Sequence, residues 1–377
     1  MPKILFIVDP ITVGTSVQFR LFKKLSAYLS KENSIYIASI FFDGERKREM
    51  ESSGIRVISP ENRNLLLKKL LGYLDKDNES MLWVESWLRE GLLRKNSTEM
   101  ETLLSEERFD YVINATNTVP IRSDIWWIQG RPLVATLENI KNDNRIVKLA
   151  LLLAKRVITK IDSNLIKRNI ERSSKCIANS KSIYEFYTSR GLKIDGILYD
   201  SPGFDDFSVT TGTPSRDYVL AYIGKETDLA PLVTMAERGI KIIGFGSKLP
   251  IGADIKSLKR KIDYRGYVSE EELMSLYSNA LFTAFPFTDE PFGWVPLESM
   301  ACGTPVLAYN KQGPSETIAD KVTGWLVDGT DEFVKKAVEI WNRKNTGITQ
   351  QDCKNGVGPF TIGNIANSLL TYLDGTH

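Results

Sequence analysis

The sequence predicts an α/β protein made of two parallel-sheet halves in series. Apolar runs of strand length alternate with helical spacings in both halves, the pattern of parallel sheets joined by right-handed crossovers. A chain of 377 residues, 42% hydrophobic and 25% charged, has the composition of an ordinary globular protein and is too long for one typical core. Between the halves lies a turn-rich stretch, Ser201-Pro-Gly-Phe-Asp-Asp-Phe207 followed by Thr210 to Pro214, the most linker-like part of the chain.

The first half opens with Lys3 to Val8 (KILFIV), a buried type of strand. Pro10 to Ser16 reads as a loop around Gly14, and Val17 to Leu29 as a helix with apolar positions at Val17, Leu21, Leu25 and Tyr28. A strand at Ser34 to Phe42, a charged helix at Gly44 to Ser53 and a strand at Ile55 to Ser59 follow. Ligands of such sheets bind beyond the strand C-termini, so the Gly14 loop faces a potential cleft. G-x-G-x-x-G is absent there, so a dinucleotide site is not indicated. From Asn64 to Glu107 the pattern is helical and irregular, with amphipathic stretches at Leu65 to Leu71 and Met81 to Leu93. They read as helix faces packed on the sheet, and their Leu and Trp beside Lys and Arg would also suit a membrane surface. Asp75 and Asp77 have D-x-D spacing with no strand before them and carry no weight. Tyr111 to Ala115, Ile125 to Gln129 and Leu133 to Leu137 read as strands, which puts Glu138 and Asn139 at a strand end. Trp126 and Trp127 should face opposite sides of the sheet, both buried. Ile146 to Lys175 is helical, with eight Lys or Arg and two acids, a local net charge of +6. That run reads as a solvated face, or as a surface for an anionic membrane or acceptor. Lys175 to Ser180 (strand), Tyr184 to Gly191 (helix and stop) and Gly196 to Tyr199 (strand) complete this half.

In the second half, strands are expected at Tyr218 to Ile223, Ile240 to Phe245, Tyr264 to Val268 and Leu281 to Phe285, with a helix at Glu270 to Ser278. Phe285 to Val306 (FPFTDEPFGWVPLESMACGTPV) then concentrates the polar chemistry of this half. Glu290 and Glu298 stand eight apart, Phe292-Gly293 suits a turn that a ligand can approach closely, and Pro296 suits the first turn of a helix that runs to Cys302 and stops at Gly303. A helix N-terminus offers free N–H groups and a partial positive charge to an anion. On local pattern alone, Glu298 complementing the helix dipole and Glu290 as a solvated loop acid stay open as a plainer alternative. Pro305 to Tyr309 is a strand, Ser315 to Ile318 starts a helix, and Thr323 to Val327 is a short strand. Asp331 to Trp341 is a helix, Asn342 to Gly358 a polar loop, and Ile362 to Leu373 a final helix.

Composition also excludes. A net charge of +2 gives no global case for nucleic-acid binding. Cys176, Cys302 and Cys353 imply no disulfide framework and suit small apolar residues in a reducing compartment. The one histidine, His377, is at the chain end, so histidine-based triads and metal sites are not expected within this chain. Ile4 to Val8 is too short for a signal peptide and Leu149 to Ala154 far too short for a membrane span. The expected location is cytoplasmic, or peripheral at the inner face of a membrane.

The second half resembles the retaining GT-B glycosyltransferases of the large Glu-x7-Glu nucleotide-sugar family, the group 1, family 4-like enzymes. The resemblance rests on Gly224-Lys225, Tyr264-Arg-Gly-Tyr-Val268 with Ser269-Glu-Glu-Glu-Leu273, Glu290 to Val306, Gly313-Pro-Ser-Glu316 and Gly324-Trp-Leu-Val327, in order over residues 216–330. The first half matches in outline only. The resemblance implies two Rossmann-like domains facing across a cleft: residues 1–212 on the acceptor side, joined by a C-terminal crossover helix at 358–377, and residues 213–357 holding the donor. It implies that Glu298 binds the ribose hydroxyls and that Glu290 lies against the donor sugar near its reacting carbon. Backbone N–H groups of Phe292, Gly293, Trp294 and Val295 should face the sugar and diphosphate. Tyr267 and Val268 should border the base, and the Gly14 loop the donor. Gly224-Lys225 stands where the family has Gly-Arg, and the lysine that usually follows is absent, leaving Lys248 or Arg265 to supply that cation. Glu138 stands where the family commonly has a histidine near the sugar. The diphosphate would be neutralised by a helix N-terminus and a cation, with neither metal nor cofactor. The implied partners are a nucleotide-diphosphate sugar and a carbohydrate or lipid-linked acceptor. A non-catalytic nucleotide-sugar-binding subunit of a glycan assembly complex and a GT-B epimerase remain as alternatives.

Overall fold

The computed structural model describes residues 1–12, 17–60, 79–139, 145–203, 214–246, 250 and 254–375. Among them the first half forms a sheet of β1 (Lys3–Val8), β2 (Ser34–Ser39), β3 (Arg56–Ile58), β4 (Tyr111–Asn114), β5 (Ser123–Ile128), β6 (Ser173–Ala178) and β7 (Gly196–Ile197). The order is β3-β2-β1-β4-β5-β6-β7, with every pair parallel. Its helices are α1 (Val17–Leu29), α2 (Gly44–Ser52), α3 (Glu79–Leu93), α4 (Lys95–Leu104), α5 (Leu133–Asn139), α6 (Arg145–Arg172) and α7 (Lys181–Thr188). The second half repeats the plan with β8 (Val219–Tyr222), β9 (Ile242–Phe245), β10 (Asp263–Gly266), β11 (Thr283–Phe285), β12 (Val306–Tyr309) and β13 (Gly324–Val327), ordered β10-β9-β8-β11-β12-β13 and again parallel. Around them lie α8 (Leu229–Glu237), α9 (Ile255–Lys261), α10 (Glu270–Asn279), α11 (Trp294–Ala301), α12 (Pro314–Thr317), α13 (Thr330–Arg343), α14 (Gln350–Gly356) and α15 (Ile362–Asp374).

The central strands β1, β8, β11 and β12 are almost wholly buried because helices cover both faces of each sheet. Ile4, Leu5, Phe6 and Ile7 are fully buried. Trp126 and Trp127 do face opposite sides: Trp127 meets Phe22 edge-on beneath α1, and Trp126 meets Tyr187 beneath α7. The final helix α15 crosses back to the first sheet, where Ile362, Ile365, Ala366, Leu369 and Leu373 share a core with Phe22, Leu25 and Leu29 of α1. Tyr372 and Lys175 fix its end through Tyr372 Oη to the Ile197 carbonyl (3.2 Å) and Lys175 Nζ to the Tyr372 carbonyl (2.7 Å). All three cysteines are free and buried. No described helix is long and apolar enough to cross a membrane.

Three expectations are corrected. Residues 133–137 form helix α5, not a strand: Pro132 opens it, and the Asp162 carboxylate of α6 accepts the Val134 N–H at 2.8 Å. Glu138 therefore stands near the end of a helix instead of beyond a strand, and its side chain lies outside the described residues. The strand that runs to the cleft is β5, and the residue after it is Gln129. Asn342 to Gly358 contains helix α14, nucleated by a capping box in which Thr349 and Asp352 satisfy each other's backbone N–H. Helices α8 and α9, unanticipated, each start at an Asp cap, Asp228 and Asp254. Gly14, Lys248, Asp75, Asp77, Leu65 to Leu71 and the boundary at 212 lie outside the described residues.

Candidate active site

The reversal of strand order in the second sheet falls between β8 and β11, and the crevice beyond the C-terminal ends of such strands is where α/β sheets bind ligands. The loops after β8 (Gly224-Lys225) and β11 (Pro286 to Phe292) line it, with Tyr267 and Val268 after β10 on the same side of the sheet. An isolated bridge between Thr227 and Phe287 ties the first two loops together. The same reversal in the first sheet lies between β1 and β4.

Glu298 lies one turn into α11 and is 5% exposed. Its Oε2 accepts from Tyr277 Oη at 3.1 Å, and its Oε1 is paired with the Arg20 guanidinium, which arrives from α1 of the first half and also bonds Glu270 at 3.2 Å. Glu298 is thus a buried carboxylate oriented by two partners.

Glu290 sits at the start of the turn that feeds α11. Its Oε1 accepts the N–H groups of Phe292 (3.3 Å) and Gly293 (3.0 Å), and its own N–H donates to Gln312 Oε1 at 2.6 Å. Glu290 Oε1 thus accepts two of the N–H groups expected to face a ligand. The turn is flat because Gly293 adopts φ 99° and packs on α12, while a Cβ on Gly313 would stand 2.2 Å from the Phe292 backbone. Removal from water, with Glu226 and Asp289 nearby, pushes the Glu290 carboxyl up to about 8, against the opposing pull of its N–H bonds.

Among the described residues, polar ties from Glu270, Asp289, Trp294, Glu298 and Glu316 of the second half join it to the first. Besides Glu298 with Arg20, Asp289 Oδ1 pairs with Arg131 Nη1 at 2.7 Å. Glu316 accepts the Lys181 and Ser182 N–H groups at the start of α7, both at 2.7 Å. The Trp294 indole donates to Asp200, which also receives Asn179 Nδ2 at 2.9 Å. Asp200 is 1% exposed, and burial pushes its carboxyl up to about 7. Phe292 closes the junction by ring contact with Tyr199 and Phe360.

Other expected residues divide. Gly224 is fixed by its N–H to Thr227 Oγ1 (2.8 Å), and Lys225 beside it is exposed at the crevice. Tyr267 is 61% exposed, while Val268 packs beside the cluster of Leu276 and Tyr277. Arg265 is exposed and engaged with Asp263 (3.3 Å) and Glu272 (3.2 Å). Arg20, Arg131, Asp200, Asp289 and Gln312 were not signalled by spacing, because each acts through a partner far along the chain.

Both raised carboxyls make stability pH-dependent. Their folded values lie above the ordinary ones near 4.5 and 3.8, so the folded chain keeps protons that the unfolded chain has lost. The melting temperature of the ligand-free protein should therefore fall as pH rises between the ordinary values and about 8. Glu290→Gln should flatten that decline and melt above the native protein at pH 8, as scanning calorimetry would record.

Comparison with known proteins bears on the fold. Residues 251–355 match the family model described as glycosyl transferases group 1. D-inositol 3-phosphate glycosyltransferase of Mycobacteroides abscessus is 29% identical over 177 residues, 42% of this chain and 40% of that protein. Alpha-1,3/1,6-mannosyltransferase ALG2 of Yarrowia lipolytica is 41% identical over 85 residues, 22% of this chain and 18% of that protein. The chain thus spans less than half the length of these curated relatives. Among solved structures, Anabaena HepE in complex with UDP-glucose superposes with a TM-score of 0.66 at 15% identity, covering 100% of both chains. Sucrose-phosphate synthase of Thermosynechococcus elongatus gives 0.73 at 14% identity, covering 100% of this chain and 99% of that one. These likenesses establish the fold, two Rossmann-like domains on the GT-B plan.

Proposed function

We propose that this chain, which has the GT-B fold and matches the glycosyl transferases group 1 model over residues 251–355, transfers a hexose from a nucleotide-diphosphate sugar to a hydroxyl acceptor with retention of configuration. The observation that carries this reading is the placement of two carboxylates at one switch point: Glu298, buried and oriented, and Glu290, at the turn into the same helix. Glu298 holds the ribose hydroxyls, and Glu290 meets the hydroxyls of the donor sugar near its reacting carbon. On donor binding, the sugar and diphosphate take over N–H groups of the turn that Glu290 accepts in the free chain. The developing diphosphate charge falls on the N-terminus of α11 and on Lys225, so no resident metal is invoked. The leaving diphosphate takes the acceptor proton, so no protein base is required. Arg265, committed to Asp263 and Glu272, is a weaker choice for a second cation.

The test is a thermal-shift screen of UDP-, GDP- and ADP-sugars, followed by mass spectrometry of products with candidate acceptors. A donor that stabilises the protein and is consumed supports transfer. Stabilisation with neither hydrolysis nor transfer, with any acceptor, would favour a binding subunit.

A lipid-linked or membrane-proximal acceptor is part of the proposal. Helix α6 exposes Leu153 and Val157 among Lys155, Arg156 and Lys160, and Leu92 and Leu93 are exposed at the end of α3, whose Gly91 abuts Ile161 of α6. The protein should float with vesicles containing anionic lipid at low salt and be released by high salt. Failure to bind at low salt removes the membrane from the proposal.

A further inference from the structure

We propose that Arg131 is a positioning residue for Glu290, acting through an ion pair with Asp289 that exists only while the two domains are together. This inference rests on the reading of Glu290 as the carboxylate that attends the donor sugar.

Arg131 follows β5 of the first sheet, and Asp289 lies in the loop after β11 of the second. Their side chains are 11% and 9% exposed, so the pair is shielded from water and salt. Asp289 Oδ1 is shared: it accepts Arg131 Nη1 at 2.7 Å and Gln312 Nε2 at 3.1 Å. Gln312 in turn accepts the Glu290 N–H at 2.6 Å, and the Glu290 carbonyl accepts the Gly313 N–H at 3.1 Å. The backbone of Glu290 is therefore three hydrogen bonds from a cation of the other domain.

The cation is itself fixed. Arg131 Nη2 donates to Ser182 Oγ at 3.1 Å, and its guanidinium lies 5.3 Å from the Phe186 ring centroid. Ser182 and Lys181 give their N–H groups to Glu316, four residues after Gln312 along the chain. The contacts close a ring, Arg131 to Asp289 to Gln312, along the chain to Glu316, and back through Ser182 to Arg131. A planar fork reaching Asp289 and Ser182 at once is a task for arginine that lysine does not reproduce. Opening the domains breaks the ring at Arg131 and at Glu316 together, which releases the Glu290 turn. Closure and the aim of Glu290 are thus one event.

Two measurements decide this, one of which needs no substrate. In ligand-free Arg131→Ala, amide exchange over residues 286–293 should quicken by about tenfold or more, since the turn loses the tie that holds it closed. Arg131→Lys should give most of that increase, and the swap Arg131→Asp with Asp289→Arg should reverse part of it. With UDP-glucose or GDP-mannose, whichever the native protein consumes, Arg131→Ala and Arg131→Lys should lower kcat by about 10²-fold with donor KM within about threefold, the signature of misplacement. Unchanged exchange in both single variants overturns the proposal whatever the donor. Faster exchange with native kcat also overturns it. If the native protein consumes neither donor, the functional reading is what fails that assay, and the exchange data alone decide the clasp.

Discussion

Glu290→Gln is expected to lower kcat by about 10²–10³-fold, while donor affinity stays within about threefold of the native value. Gln keeps the shape and an oxygen to accept the Phe292 and Gly293 N–H groups, which Glu290 Oε1 holds at 3.3 and 3.0 Å. On the proposed reading, what it removes is the negative charge beside the reacting carbon, where the transition state is richest in positive charge. In the free protein that charge is disfavoured, since burial and Glu226 push the carboxyl up to about 8. An arriving sugar supplies hydroxyl donors to the ionised form and draws the value down, so donor binding should release a proton near pH 7 in the native protein and not in Glu290→Gln. A variant that kept native turnover would remove Glu290 from the chemistry.

Glu298→Gln is expected to show the opposite split: donor affinity weaker by about 10–10²-fold, with kcat at saturating donor within a few-fold of native, because hydrogen bonds to a charged group are worth about 1.5–3 kcal/mol. The free protein adds a complication, since the same carboxylate is paired with Arg20 across the domain junction. The double variant Glu298→Gln with Arg20→Gln separates the two roles. It removes the cation that Glu298→Gln alone would deprive of its buried carboxylate, and should recover stability without recovering donor affinity. If donor affinity returned with stability, Glu298 would be a structural partner of Arg20 and nothing more.

Much of this architecture was legible in the chain. β1, α1, β12 and β13 follow from apolar runs bounded by Gly, Pro and polar turns, and α11 from Pro296 with Gly303 as its stop. The pair Glu290 and Glu298 was legible as part of a spaced constellation, since eight residues from loop to helix interior fix both side chains relative to one backbone. Residues 133–137 were not: Leu-Val-Ala-Thr-Leu has strand-like composition, and only Asp162, brought near by α6, settles it as a helix. The ties across the junction were not legible at all. Arg20 and Glu298 are 278 residues apart, Arg131 and Asp289 158 apart, and no local pattern marks Arg20, Arg131 or Asp289. Glu316 appeared only as a letter in a motif, and its work, holding the start of α7 at 2.7 Å, comes from the packing of the second domain on the first.

The most direct measurement is calorimetric titration of UDP-glucose and GDP-mannose into the native protein, Glu290→Gln and Glu298→Gln, with turnover of the same samples followed by mass spectrometry. The expected result is a donor that binds native protein and Glu290→Gln alike but Glu298→Gln about 10–10²-fold more weakly, and that only native and Glu298→Gln consume. Equal affinity in all three, with turnover unaffected by either substitution, would contradict the assignment of this crevice as the site of sugar transfer.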